Sequence, residues 1–129
     1  MKEVKFYLCK QCGNLVVLLR NGGGQLVCCG EPMQLLEANS SDGAVEKHVP
    51  EVKVDLNGKQ ITVQVGSVIH PMTEAHYIQW IYVQTKKGGQ LKYLTPGEQP
   101  VAKFTFIDDE VLAVFEYCNL HGLFVKTLS

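Results

Sequence analysis

Long apolar runs are missing from this chain, and no segment reads as a bilayer span. Excess charge of either sign is missing too. Lysine and arginine number 12 against 13 aspartates and glutamates, for a net charge of -1. A balance so near neutral gives no reason to expect nucleic acid or an anionic membrane as a partner. The opening residues, Met1 to Cys9, carry an early acid at Glu3 and no apolar stretch, so they do not read as a signal peptide. No convincing helix pattern, internal repeat or low-complexity segment is found. Spare metal ligands are also lacking: the five cysteines and four histidines all fall into one of two sets.

What is present is the composition of an ordinary globular protein, 129 residues with 46% hydrophobic and 19% charged. Length alone suggests a single domain, but the polar, turn-rich run from Glu37 to Ala44 reads as a linker. That places a first domain at residues 1–37 and a second at 38–129. A module of about 36 residues rarely buries enough core to fold alone and needs a staple such as a metal. Short strands are predicted at Lys5 to Leu8 and Leu15 to Leu19, with Gly22-Gly23-Gly24 as a flexible turn.

Beyond the linker, strand signals recur at short intervals. Val52, Val54 and Leu56 alternate with polar residues, Asn57-Gly58 gives a two-residue hairpin signal, and Ile61, Val63 and Val65 follow. Further strands are predicted over His76 to Thr85, Leu91 to Leu94, Val101 to Ile107, Val111 to Tyr117 and Leu123 to Leu128. Ala102, Phe104 and Phe106 share one face of their strand. About seven strands without a helix predict an all-β fold, an immunoglobulin-like antiparallel sandwich without the inter-sheet disulfide signature.

The first ligand set is Cys9, Cys12, Cys28 and Cys29. Cys9-x2-Cys12 puts two thiolates on one tight turn, where backbone amides can reach sulfur. Four thiolates around one ion suit zinc or iron. Adjacent Cys28 and Cys29 cannot repeat the first knuckle, so a distorted tetrahedron is expected. A structural zinc site remains open, and a Cys28–Cys29 disulfide is disfavoured by its strict geometry. Clustered cysteines of this kind suit the cytoplasm, where thiols stay reduced.

The second set is His48, His70, His76, Cys118 and His121. Each histidine alone would read as an ordinary core or surface residue. Together, four imidazoles and one thiolate exceed the four ligands of structural zinc. Five donors leave one vacancy on a six-coordinate iron. A ferrous ion in this set keeps net positive charge and attracts a small anion or oxygen species. A thiolate opposite the vacancy pushes electron density toward whatever binds there.

The joint pattern resembles the desulfoferrodoxin family of two-iron superoxide reductases. The resemblance rests on C-x2-C followed by adjacent cysteines, on Glu46-Lys47-His48-Val49-Pro50, on His70-Pro71-Met72 with His76, and on Cys118-Asn119-Leu120-His121-Gly122. It implies a desulforedoxin-like domain with an iron-tetrathiolate centre, then a neelaredoxin-like sandwich with a square-pyramidal iron. It makes His48, His70, His76 and His121 equatorial and Cys118 axial. It implies two irons per chain, without haem or flavin. Superoxide is the substrate, reduced to hydrogen peroxide with one electron and two protons. The resemblance also implies rubredoxin as the typical donor, a homodimer, and the cytoplasm of an anaerobe or microaerophile. By the same resemblance Lys47 steers the anion and helps deliver a proton, while Glu46 takes the sixth position of the ferric site and helps release peroxide. The residues alone would read both as solvated loop charges.

Two rivals come with this reading. An iron superoxide dismutase must use superoxide to re-reduce its own metal, which thiolate donation does not favour. A rubredoxin-like electron-transfer protein without catalysis needs neither a vacancy nor an anion-steering lysine.

Overall fold

The computed structural model describes residues 4–40, 48–66 and 70–128. Among those residues the regular structure is all β-strand, apart from one 3-10 turn at Leu56–Gly58. The chain divides into two compact units, Met1–Glu37 and Ala38–Ser129.

In the first unit, β1 (Lys5–Leu8) pairs antiparallel with β2 (Leu15–Leu18). β3 (Val27–Cys28) and β4 (Glu31–Pro32) form a separate two-stranded hairpin, and β5 (Gln34–Leu35) pairs on the other side of β1. The apolar interior is small. Phe6 and Cys9 are buried, whereas Leu19, Val27 and Leu35 are exposed. So little buried area stabilises a fold weakly, as expected of a unit that needs a metal staple.

The second unit has strands β6 (Pro50–Asp55), β7 (Gln60–Val65), β8 (Ile78–Thr85), β9 (Gly89–Tyr93), β10 (Val101–Thr105), β11 (Val111–Cys118) and β12 (Gly122–Thr127). They form two antiparallel sheets, ordered β10-β7-β6 and β12-β11-β8-β9. Alternation decides which residues face inward. Ile61, Val63 and Phe104 from one sheet meet Ile81, Val83 and Val114 from the other in a single buried cluster, which extends to Cys118. Ala102, Phe104 and Phe106 share the buried face, as their spacing predicts.

Three local features depart from the sequence pattern. Asn57 and Gly58 both take positive φ, as a primed turn requires, but Leu56 does so as well (φ 52°). The last paired residues are therefore Asp55 and Gln60, and the loop holds four residues rather than two. β8 begins at Ile78, because His76 bridges back to Thr73 instead of joining the strand. Asn39, expected in a linker, bridges Phe124 in parallel: its N–H donates to Leu123 O at 2.9 Å, and its carbonyl accepts from Val125 N–H at 2.9 Å.

Side chains link the edges of the two sheets. Gln90 Nε2 donates to Thr105 O at 2.9 Å, and Lys92 Nζ donates to Lys103 O while lying 5.1 Å from the Phe104 ring centre. At the start of the same edge strand, Gly89 lies against the Tyr82 ring, and a Cβ there would collide with the phenol oxygen.

Candidate metal centres

The first cluster is built from two turns. Gly13 N–H donates to Cys9 O at 2.9 Å, and Cys9 N–H donates to Asn14 O at 2.8 Å, closing the loop that carries Cys9 and Cys12. Asn14 then turns donors on the sulfurs. Its backbone N–H lies 3.5 Å from Cys12 Sγ and its side-chain Nδ2 lies 3.6 Å from Cys28 Sγ. Opposite, Cys28 is the last residue of β3 and Cys29 the first residue of a two-residue turn. Cys29 and Gly30 have φ of 53° and 78°, the sign a type I′ hairpin requires at both positions. This solves the problem of adjacent cysteines, since a left-handed residue re-aims the second thiol. For a residue with a Cβ that conformation costs about 1–2 kcal/mol.

All four sulfurs lie within 4.8 Å of one another. Cys12 Sγ and Cys28 Sγ are 3.6 Å apart, and Cys28 Sγ and Cys29 Sγ are 4.0 Å apart. A tetrahedral ion with metal–sulfur bonds of about 2.3 Å separates its ligands by about 3.8 Å, so the set fits such an ion. The cysteines are free thiols, and the 4.0 Å gap excludes a Cys28–Cys29 bridge. The thiols of this crowded cluster are shifted in their titration in opposite directions. Cys9 is lowered to about 7, chiefly by the backbone N–H of Cys12. Cys29 is pushed up to about 12, chiefly by its hydrogen bond with the Cys12 thiol, and Cys28 is raised, chiefly by Cys9. Four crowded sulfurs cannot all ionise without a cation among them.

The second cluster draws on the residues before β6, the loop before β8 and the β11–β12 turn. His48, His70, His76, Cys118 and His121 each offer a ligand atom within 4.8 Å of the others. The imidazoles form a closed cycle. Ring centres are 4.6 Å apart for His48–His70, 4.7 Å for His70–His76, 5.3 Å for His76–His121 and 4.7 Å for His48–His121. Neighbouring rings meet edge to face at 64° to 82°. Hence His48 stands across from His76, and His70 from His121. Cys118 Sγ lies 3.6 Å from His70 Nε2 and 3.8 Å from His121 Nδ1.

Neighbouring groups orient these rings. His70 donates Nδ1–H to Pro71 O at 2.7 Å, which leaves the Nε2 lone pair facing the cluster. His48 stacks on Phe124, with ring centres 4.6 Å apart and an interplanar angle of 12°. His76 is held by Thr73: His76 N–H donates to Thr73 O at 3.1 Å, and Thr73 N–H donates to His76 O at 2.9 Å. Cys118, His48 and His70 are buried, whereas His121 is exposed, so the cluster has one face toward solvent. Beside it, Trp80 and Tyr117 stack with ring centres 5.7 Å apart. Burial and then the charge of Cys118 push the Tyr117 phenol up.

Octahedral metal–nitrogen and metal–sulfur bonds of about 2.1 and 2.3 Å place neighbouring donors about 3.1 Å apart and opposite nitrogens about 4.2 Å apart. The observed spacings are about half an ångström wider, so small side-chain movements close the set around one ion. Both clusters hold the residues that the sequence pattern pointed to. Glu46 and Lys47 lie outside the described residues. The sequence reading assigned no part to Pro71, Thr73, Asn119 or Phe124. Only Asn119 carried a signal, its place between two ligands, and its partners 42 and 44 residues away were invisible.

Comparison with known proteins agrees with this geometry. Residues 40–127 match the desulfoferrodoxin family model, and residues 1–36 match the model of the desulfoferrodoxin N-terminal domain. The chain belongs to the desulfoferrodoxin family. The desulfoferrodoxin of Nitratidesulfovibrio vulgaris is 50% identical over 120 residues, 93% of each chain. The crystal structure of the superoxide reductase from Treponema pallidum covers 97% of this chain and 98% of its own, at 36% identity and a TM-score of 0.82. The one-iron superoxide reductase from Giardia intestinalis covers 65% of this chain and 98% of its own, at 36% identity and a TM-score of 0.55.

Proposed function

We propose that this desulfoferrodoxin-family chain is a superoxide reductase whose second cluster holds the reacting iron and whose first cluster holds a second iron. Superoxide takes up one electron and two protons and leaves as hydrogen peroxide. The observation that carries this reading is the donor set: four imidazoles in a cycle with one buried thiol, in a chain otherwise similar to superoxide reductases. A ferrous ion held by such a set would supply the electron, and five protein donors would leave it room for one small ligand.

The protein's part is positioning, charge and access. His48, His70, His76, His121 and Cys118 would hold that iron, through four imidazole nitrogens and one thiolate. Burial keeps water from the Cys118 sulfur, so its donation is directed at the ion. His70 is fixed as the Nδ1–H tautomer, so its lone pair is presented without a search over orientations. Exposed His121 marks the side from which a small anion enters. Lys47 attracts that anion and helps supply protons. Glu46 would serve as a further carboxylate donor to the oxidised metal and so favour release of peroxide. Residues 1–37 form the iron-tetrathiolate domain and 38–129 the reductase domain. The oxidised site is re-reduced by a one-electron protein such as rubredoxin, and the chain works as a homodimer in the cytoplasm. No helix among the described residues is long and apolar enough to cross a membrane.

The decisive experiment mixes pulse-generated superoxide with the reduced protein and counts peroxide. A reductase yields one peroxide for each superoxide consumed, whereas a dismutase yields one for every two. Metal analysis with an absorption spectrum tests the iron assignment, because ferric thiolate sites are coloured and zinc sites are not.

A further inference from the structure

His76 and His121 lie just outside the strand pairing that holds Cys118, whose partners in register are Ile78 and Gly122. His76 sits in a loop before β8, while Cys118 and His121 flank the β11–β12 turn. One side chain spans the gap. Asn119 Oδ1 accepts the Tyr77 N–H at 3.0 Å, and Asn119 Nδ2 donates to Ala75 O at 3.0 Å. The Asn119 backbone N–H donates to Tyr77 O at 3.3 Å. The residues on both sides of His76 are thus tied to a single residue of the turn between Cys118 and His121.

A side-chain amide carries the same donor and acceptor pair as a peptide group. Here it acts as one more rung of a sheet, where the register of β11 and β8 is shifted between Tyr117 and Cys118. Thr73 closes the other side of the same small loop. A change at Asn119 therefore moves His76 relative to Cys118 without removing any ligand.

We infer that Asn119 is a positioning residue that presets His76 against Cys118 and His121, and so sets how tightly the second cluster holds its metal. This rests on the proposed reading of the cluster as a metal site. Aspartate at this position would keep the acceptor for Tyr77 but set an oxygen against Ala75 O. Glutamine would keep both groups but move them out by one methylene. Alanine removes both bonds.

The test uses the full chain and ferrous ion under anaerobic conditions, competed against a coloured chelator, with the Cys9–Cys29 cluster as internal reference. Asn119→Ala should weaken ferrous binding at the second cluster by about 10- to 100-fold, the range seen when groups orienting a metal ligand are removed. Binding at the first cluster should not change. Exchange of the Tyr77 amide hydrogen should accelerate in Asn119→Ala and stay slow in Asn119→Asp. In a His76→Ala background, Asn119→Ala should cost less than about twofold more, because a residue that acts through His76 has nothing left to position. Equal affinity in a folded Asn119→Ala chain, or a full additive loss on top of His76→Ala, would overturn the role. Should the alanine chain fail to fold, Asn119→Gln must show the same selective loss, and a glutamine chain that binds like wild type overturns the inference equally. A wild-type chain that takes up no ferrous ion at the second cluster would instead sink the metal reading itself.

Discussion

At the scale of single residues, Cys118 carries the heaviest burden. Among the five side chains clustered there it alone can bring a negative charge, and it is fully buried at the end of the sandwich core. Cys118→Ser keeps the size but supplies neither charge nor comparable electron donation at neutral pH. Superoxide reduction should be lost even in the fraction of chains that keep iron, as measured by pulse-generated superoxide at known metal content. Near wild-type turnover would remove Cys118 from the proposed donor set. Beside its part in proton supply, Lys47 is expected to act on encounter. A cation about 6 Å from a small anion gains roughly 0.7 kcal/mol at water-like screening and about 2.8 kcal/mol at an effective dielectric near 20. Lys47→Ala should therefore slow the second-order reaction about tenfold and flatten its dependence on ionic strength, whereas Lys47→Arg should keep most of the steering. An alanine variant with the wild-type rate and salt dependence would return Lys47 to a solvated charge. The membership of the two clusters was legible in the sequence, because no cysteine or histidine falls outside the two sets. The groups that orient them were not. A Pro71 carbonyl or a Phe124 ring leaves no mark in a ligand count, and contacts across more than 40 residues, such as those of Asn119, are set by register rather than by spacing.

At the scale of elements, the open edges of the two sheets are tied by side chains rather than by backbone. Removing the Gln90 and Lys92 bonds to the β10 carbonyls should destabilise the second unit by about 1–2 kcal/mol. It should also leave an edge freer to pair with other chains. Thermal unfolding of the Gln90→Ala, Lys92→Ala double variant measures the first effect and light scattering the second, and an unchanged midpoint would mean that solvent replaces these bonds at no cost. The loop between β10 and β11 adds a dependence on pH. The Asp109 carboxylate is held below its usual range, chiefly by the Thr85 hydroxyl, with the backbone N–H groups of Glu110 and Lys87 assisting. A group depressed in the folded state stabilises above its unfolded pKa, and that contribution fades as pH falls through the folded value. The unfolding midpoint of wild type should therefore drop more steeply than that of Asp109→Asn below the ordinary carboxylate range, and parallel acid limbs would contradict the assignment. Strand existence was legible here, because every second residue of β7 and β10 is buried and those between are more accessible. Strand ends were less so. His76 looks like the start of an aromatic strand, yet the Thr73 bridge withdraws it into a loop, and Leu56 adopts a left-handed backbone that no β-propensity anticipates.

At the scale of the whole molecule, the two clusters belong to separate compact units, so each should be removable alone. Cys12→Ser should empty the first cluster and loosen residues 1–37, since metal binding and folding are coupled in so small a unit. Superoxide reduction at the second cluster should survive, as checked by iron content and by peroxide yield per superoxide. Loss of reactivity with the second iron still bound would show that the clusters depend on each other. The ligands are also spread very differently along the chain. The first set is complete at Cys29, whereas the second waits for His121. At about 5–20 residues per second of synthesis, the second set is completed roughly 5–20 s after the first. During that interval a nascent chain can fill and fold its first site while the second does not yet exist. If both clusters take iron, scarcity of the metal would therefore favour chains whose first cluster alone is filled, and full activity of the population would follow completion of the second set.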